Sequence, residues 1–355
     1  MSVKDLAAAQ AITRGLLGRL IGPQGVDALA RSEDVSAAFA FLERTPYGGA
    51  MAKVPRARRV FREVEHALRQ SLIDDAIRIW HFLGRAHRQA LTLLMARYEI
   101  TNIKAVFGAI EGGEDPGAMR GFLFEMGPLG RVDVDRLVES TSVAALVEAL
   151  KGSPYGETLD HALDRYRAEK TLFPVEVALD LQYFRGLLAG LEVLSDEDRR
   201  SMLAAVGPEI DARNLLWVLR YRFNFGLEPE EIFNYIAPSG LELTDEMLWK
   251  VARSEDPAEI ASALPRDFGA LVEESRRGRQ LDLIHLDVLL RRRLWRRAWR
   301  AIIRGPFSLG MVAGYLIVKR IELDEIITVL ESRRYGMPDT EIASFLIHQD
   351  QGRKR

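Results

Sequence analysis

The 355-residue chain contains no cysteine. That single absence excludes disulfides, thiolate zinc sites, iron–sulfur clusters and a cysteine nucleophile, and it suits a reducing compartment. A charge excess is missing too: 49 basic side chains face 51 acidic ones, a net charge of −2, so no global field attracts nucleic acid or another polyanion. Long apolar runs are equally scarce. The first stretch carries Lys4, Asp5, Arg14 and Arg19 within its apolar pattern, so no uninterrupted signal-peptide core is expected there. The uncharged run from Gly305 to Val318 is fourteen residues, short of the roughly 20 needed to span a bilayer. Any membrane contact is expected to be peripheral.

Catalytic patterns are also lacking. There is no G-x-x-x-x-G-K-[ST] phosphate loop, no G-x-G-x-x-G after a strand and no G-x-S-x-G elbow. In Gly305-Pro-Phe-Ser308-Leu-Gly310 the serine stands one residue late and no strand precedes it. The six histidines, at 66, 81, 87, 161, 285 and 348, form no i, i+4 pair around a glutamate, so surface or boundary positions are expected and neither metal nor cofactor is assigned. The acidic pairs Asp74-Asp75, Glu230-Glu231 and Glu273-Glu274 are adjacent and therefore about 100° apart on a helix, which favours solvation over shared acid–base work.

What the sequence has in quantity is helical periodicity. Val177, Leu181, Phe184, Leu188 and Leu191 step by 4, 3, 4 and 3 along one face, and comparable rows recur through the chain. The fold class is all-α. Ser195-Asp-Glu-Asp198 reads as a capping box, and Asp115-Pro116 and Asp256-Pro257 each place a capping acid before a proline suited to the first helical position. Breaks are expected at Gly112-Gly113, Gly207-Pro208, Gly226 and Gly305-Pro306, and a frayed tail over Gln351 to Arg355.

Three marks repeat in fixed order. The first is a turn: Thr45-Pro46-Tyr47-Gly48, Ser153-Pro154-Tyr155-Gly156 and the looser Leu264-Pro265-Arg266-Asp267-Phe268-Gly269, whose glycines lie 108 and 113 residues apart. The second is an acid, two residues, a polar and an aliphatic: Glu99-Ile-Thr-Asn102-Ile103, Asp211-Ala-Arg-Asn214-Leu215 and Glu322-Leu-Asp-Glu325-Ile326. The third is a glycine shortly before a helix-opening proline, at Gly113/Pro116, Gly226/Pro229 and Gly336/Pro338. The marks agree on a period near 111, which divides the chain into helical repeats at 1–115, 116–228 and 229–355. Like units either stack as an open solenoid or close into a ring. Asn102, Asn214 and Glu325 are expected at helix starts, capping unpaired N–H groups.

One local feature stands out. Between Arg291 and Arg304 the run RRRLWRRAWRAIIR aligns Arg293, Arg297, Arg300 and Arg304 in one stripe, with Arg292 and Arg296 beside it and Trp295, Trp299 and Ile302 on the other face. A solvated face, an acidic protein partner, lipid headgroups and nucleic acid all remain open for it; the stripe is carried forward as a candidate partner-docking site.

The marks, together with Tyr98-Glu99-Ile100-Thr101-Asn102-Ile103-Lys104, Asp211 to Arg220, Ala237-Pro-Ser-Gly240 and Tyr315-Leu-Ile-Val-Lys319, resemble the C subunit of the bacterial and archaeal V/A-type rotary ATPases, whose eukaryotic counterpart is the d subunit of the vacuolar pump. The likeness runs from Arg14-Gly-Leu-Leu17 to Phe345, with departures at Glu325, where the other marks have asparagine, and at Phe268, where they have tyrosine. The resemblance implies a funnel of three similar helical units about a pseudo-threefold axis. It implies a non-catalytic rotor component at the cytoplasmic face of the membrane, peripheral and not a homo-oligomer. Its partners would be the central shaft and the proteolipid ring of a proton- or sodium-linked ATPase or synthase; the balanced charge, 49 basic against 51 acidic side chains, argues against nucleic acid as a partner. The alternative from the residues alone is an open helical scaffold for acidic partners.

Overall fold

The computed structural model describes residues 3–55, 61–238, 240–305 and 308–348. The expected tail at 351–355 and the residue Pro306 lie outside these. The chain begins with α1 (Val3–Leu17), α2 (Gly22–Ala30), α3 (Val35–Glu43), the single turn α4 (Gly48–Met51) and α5 (Phe61–Trp80). There follow α6 (Arg85–Glu111), α7 (Val134–Val138), α8 (Val143–Leu150), α9 (Gly156–Glu169) and α10 (Phe173–Leu191). The remainder comprises α11 (Asp196–Phe225), α12 (Pro229–Ile232), α13 (Asp245–Arg253), α14 (Pro257–Ala263), α15 (Arg266–Glu274), α16 (Leu283–Arg304), α17 (Leu309–Arg334) and α18 (Asp339–Phe345). Apart from these, two 3₁₀ segments and a two-residue hairpin pairing Arg276 with Leu281 and Arg277 with Gln280 are the regular elements among the described residues. The all-α expectation holds.

Packing groups the chain into two compact units, one of Met1–Asp75 with Asp196–Arg355 and one of Ala76–Ser195. Neither edge coincides with the boundaries drawn from the 111-residue period. In the first unit α16 and α17 form the most extensive helix pair, α11 packs on both, and α1, α2 and α3 pack on α17. From Leu309 to Lys319 every residue of α17 is buried, so the apolar run that was too short for a bilayer is a core helix that is apolar all round. In the second unit α10 packs on α6 and α9, burying Val177, Leu181, Phe184 and Leu191 of the expected face.

The caps follow the sequence signals. Asp115 accepts from the Gly117 N–H at 2.9 Å, Asp256 from Ala258 at 2.7 Å, and α11 opens directly after Ser195. The break expected at Gly207-Pro208 does not occur: α11 runs straight through Pro208. A proline within a helix costs about 3 kcal/mol, and here Gly207, Pro208 and the residues around them are buried where α11 is held by α16 and α17. Tertiary packing outweighs the local penalty. Among the described residues no helix is long and apolar enough to cross a membrane.

The first and third marks occupy matched local structure. Gly48, Gly156 and Gly269 each sit so close to the carbonyl of the preceding helix (Glu43, Leu150 and Ala261) that a Cβ would lie 2.4, 3.0 and 2.5 Å from its oxygen. Gly113, Gly226 and Gly336 end or follow α6, α11 and α17 with φ of 69°, 65° and 67°, the left-handed closing conformation that glycine adopts without a Cβ penalty.

Close helix approach in the core gives a direct test. A Cβ on Gly314 of α17 would stand 2.8 Å from the Ala298 carbonyl oxygen and 2.9 Å from Ile302 Cγ1 on α16. Gly314→Ala is expected to cost about 1–3 kcal/mol by forcing the two helices apart, read as a lower thermal midpoint than that of Gly15→Ala, where nothing lies within 4 Å.

Candidate functional site: buried latches and an arginine-rich helix

The second mark does not lie at helix starts. Glu99 and Asn102 are inside α6, Asp211 and Asn214 inside α11, and Glu322 and Glu325 inside α17. The expectation was wrong because the N–H groups these side chains satisfy are not those of their own helices but belong to residues far from them along the chain. Asn102 donates to the Phe124 carbonyl at 2.8 Å and accepts from its N–H at 2.7 Å; Asn214 does the same with Ala237, at 3.0 Å each way. Glu325 accepts from the Ile347 N–H at 2.7 Å, and His348 Nε2 stands 3.1 Å from its other oxygen. A carboxylate has no donor, so where asparagine meets a carbonyl, Glu325 meets an imidazole.

The acids three residues earlier work on a second set of loops. Glu99 accepts from the N–H groups of Arg131 and Val132. Asp211 takes the N–H groups of Leu241, Glu242 and Leu243 at 3.0, 2.9 and 3.2 Å. Glu322 takes those of Ile21 and Gly22 at 3.1 and 2.7 Å, so the latch of α17 closes on the start of α2. Tyr155 donates its hydroxyl to Glu99 at 2.6 Å and Tyr47 to Glu322 at 2.5 Å. The third turn has Phe268, which cannot donate, and its acid is the shorter Asp211 with three backbone donors. A cation lies over each ring: Arg131 over Tyr155, Arg293 over Phe268 and Lys319 over Tyr47, at 5.2, 4.1 and 5.9 Å.

Burial shapes the electrostatics. It raises Glu322 against the opposing bonds from Tyr47, Gly22 and Ile21, and it raises Asp211 against three N–H groups. Tyr47 rises well above the usual phenol value through burial and then the Glu322 charge. Lys319 is lowered, mainly by burial, although Asp75 pulls the other way. Asp75, expected to be solvated, is 6 % exposed; its carboxylate receives Lys319 Nζ and, at 2.7 Å, the Tyr315 hydroxyl. Sequence reasoning missed this pair because its members are 244 residues apart. The histidine expectation also fails at two positions, since His87 and His348 are buried.

Glu99 already accepts four N–H or O–H groups and Asp211 and Glu322 three each, and no group of residues among those described is arranged to hold a metal. The cleft of about 260 Å³ between α11, α16 and α17 contains Glu209, Asp287 and Asp324, held by Arg320 at 3.0 Å, Arg291 at 3.2 Å and Arg69 at 2.8 Å.

The arginine stripe divides. Arg293 and Arg297 bind the two oxygens of Glu242 at 2.5 and 2.7 Å, and the Glu242 N–H is the one held by Asp211, so this pair ties α16 to the α11 latch. Arg300 and Arg304 are exposed with Arg296. Trp295 and Trp299 stack edge to face at 5.9 Å, Trp295 also meets His348 at 4.8 Å, and Ile302 is buried.

The Asp75, Tyr315 and Lys319 cluster sets up a mutational test. Lys319→Met leaves a buried carboxylate without its cation and is expected to destabilise the protein by about 3–5 kcal/mol. Replacing the whole cluster with Asp75→Leu, Tyr315→Phe and Lys319→Met should restore most of that loss, measured by denaturant unfolding.

Comparison with known proteins places these features in a family context. The family described as ATP synthase (C/AC39) subunit matches residues 9–345. The chain is similar to the C subunit of the A-type ATP synthase of Methanosphaera stadtmanae, 26% identical over 339 residues that cover 94% of this chain and 86% of the relative. It is likewise similar to the C subunit of the A-type ATP synthase of Methanothermobacter thermautotrophicus, 24% identical over 94% of this chain and 85% of the relative. That of Halobacterium salinarum is 28% identical over 86% of this chain and 88% of the relative.

Proposed function

The chain belongs to the ATP synthase (C/AC39) subunit family, and from that premise we propose that it is a non-catalytic component of the central stalk of a V/A-type ATPase or synthase. In this reading it is a peripheral protein on the cytoplasmic face of the membrane, a socket that joins the central shaft to the proteolipid ring and transmits torque. The observation that carries the reading is the recurrence of one latch in α6, α11 and α17, with a carboxylate and a neighbouring polar side chain fastening two loops to the middle of a long helix. Three like units built in this way suit a closed arrangement about a pseudo-threefold axis. The packing of α1, α2 and α3 on α17 supports closure over the open scaffold. A torque-bearing part needs low compressibility, which close-packed helices and buried hydrogen-bonded loops provide.

The deciding experiment is purification of the tagged chain from detergent-solubilised membranes with identification of its companions. Shaft proteins and proteolipid are expected together with it; recovery of the chain alone, or with unrelated acidic proteins, would favour the scaffold. The isolated chain is expected to show neither saturable micromolar ATP binding nor ATP turnover above background, because its sequence has no phosphate-cradling loop.

A further inference from the structure

Helix α16 carries seven arginines, and the fold uses four of them. Arg291 pairs with Asp287 at 3.2 Å, Arg292 donates to the Ile347 carbonyl at 2.8 Å, and Arg293 and Arg297 share Glu242. The other three, Arg296, Arg300 and Arg304, are exposed, follow one another at i, i+4 and i+8, and have no ion-pair partner among the described residues. Ile303, 71% exposed, lies seven residues after Arg296 and three after Arg300, which sets an apolar side chain beside the charged row. The only acid of α16 is Asp287, and Arg291 holds it.

We infer that the Arg296, Arg300 and Arg304 row, with Ile303 at its edge, is a docking face for a carboxylate-bearing helix of another protein in the same complex; the inference rests on the central-stalk reading. Charge selects this partner. Three guanidinium forks about 6 Å apart match carboxylates spaced by one helical turn, whereas the unpartnered row repels itself in the free protein. A lipid surface fits less well, because the apolar face of α16 is spent on the core through Leu294, Ala298 and Ile302 and leaves Ile303 alone to insert. The row is also held ready: Glu242 grips Arg293 and Arg297 from one side and the Ile347 carbonyl receives Arg292 from the other, so little ordering is left for binding.

The test uses the full chain in the solubilised complex. In an Arg296→Lys/Arg300→Lys/Arg304→Lys variant the charge is kept and each side chain becomes an amine, so a carbodiimide joins it by an amide bond, with loss of water, to any carboxylate it touches. Expected are cross-linked peptides between the introduced lysines and an Asp- or Glu-bearing segment of another protein of the complex. Arg300→Glu/Arg304→Glu should leave the thermal midpoint nearly unchanged and lower retention on the complex about tenfold at low salt, with the difference narrowing as salt rises. A charge-reversed chain retained like the native one at every salt concentration, with no cross-link from the lysine variant to a neighbouring protein, would overturn the docking face and leave the central-stalk reading standing. Binding of the purified native chain to phosphatidylglycerol vesicles that the reversal abolishes would overturn it in favour of lipid. A native chain absent from the complex would overturn both.

Discussion

A carboxylate placed in the middle of a long helix is the constraint on which the rest of this molecule depends. A helix satisfies its own backbone and leaves the loops around it with unpaired N–H groups, which are costly to bury. Glu99, Asp211 and Glu322 each gather two or three of those groups, and that is what allows loops and the start of a short helix to lie against the long helices instead of in water. Charge-assisted bonds of this kind are stronger than neutral ones, so the loops are fixed in register with the helix that carries the acid. Asn102, Asn214 and Glu325, three residues later, fix a second point for each helix. Two anchors per helix define an orientation, where one would define only a position.

The order of these parts was legible in the sequence because they use residues with narrow chemistry. A glycine that must adopt positive φ, an asparagine that must both donate and accept, and a tyrosine that must reach a carboxylate leave few substitutes, so they persist as marks at a period of about 111. Their roles were less legible. An acid followed three residues later by asparagine reads equally well as a helix start or as a side-facing pair, and only the position of Phe124 or Ala237 in space separates the two. Pro208 misled for the opposite reason: its local preference is strong, but the energy that overrides it comes from α16 and α17, far along the chain. The Asp75 and Lys319 pair is of the same kind, since nothing near either residue announces a partner.

The arginine-rich segment shows how a stripe read as a unit divides once its surroundings are known. Pattern alone placed Arg293, Arg297, Arg300 and Arg304 on one face, and they are on one helix. A single distant acid, Glu242, takes the first two as internal fastenings. The same departure from strict repetition appears at Phe268 and Asp211, where loss of a tyrosine hydroxyl accompanies a shorter acid with one more backbone donor, and at Glu325, where loss of an amide donor accompanies a histidine. These exchanges alter the atoms of a latch while the position of its acid in the middle of the helix is kept.

The latch of α17 differs from the other two in how much chain it encloses. Glu99 and Asp211 bind loops about 30 residues downstream, whereas Glu322 binds Gly22, 300 residues upstream. Loop-closure entropy rises only with the logarithm of length, so the longer closure costs about 2 kcal/mol more. Its timing is another matter. During synthesis the first two latches can form as soon as their own loops emerge, but Ile21 and Gly22 must wait for α17, 300 residues later. Only a chain translated through α17 can offer Glu322 to Tyr47 and Gly22, so the surface around these residues changes at the moment α17 is made.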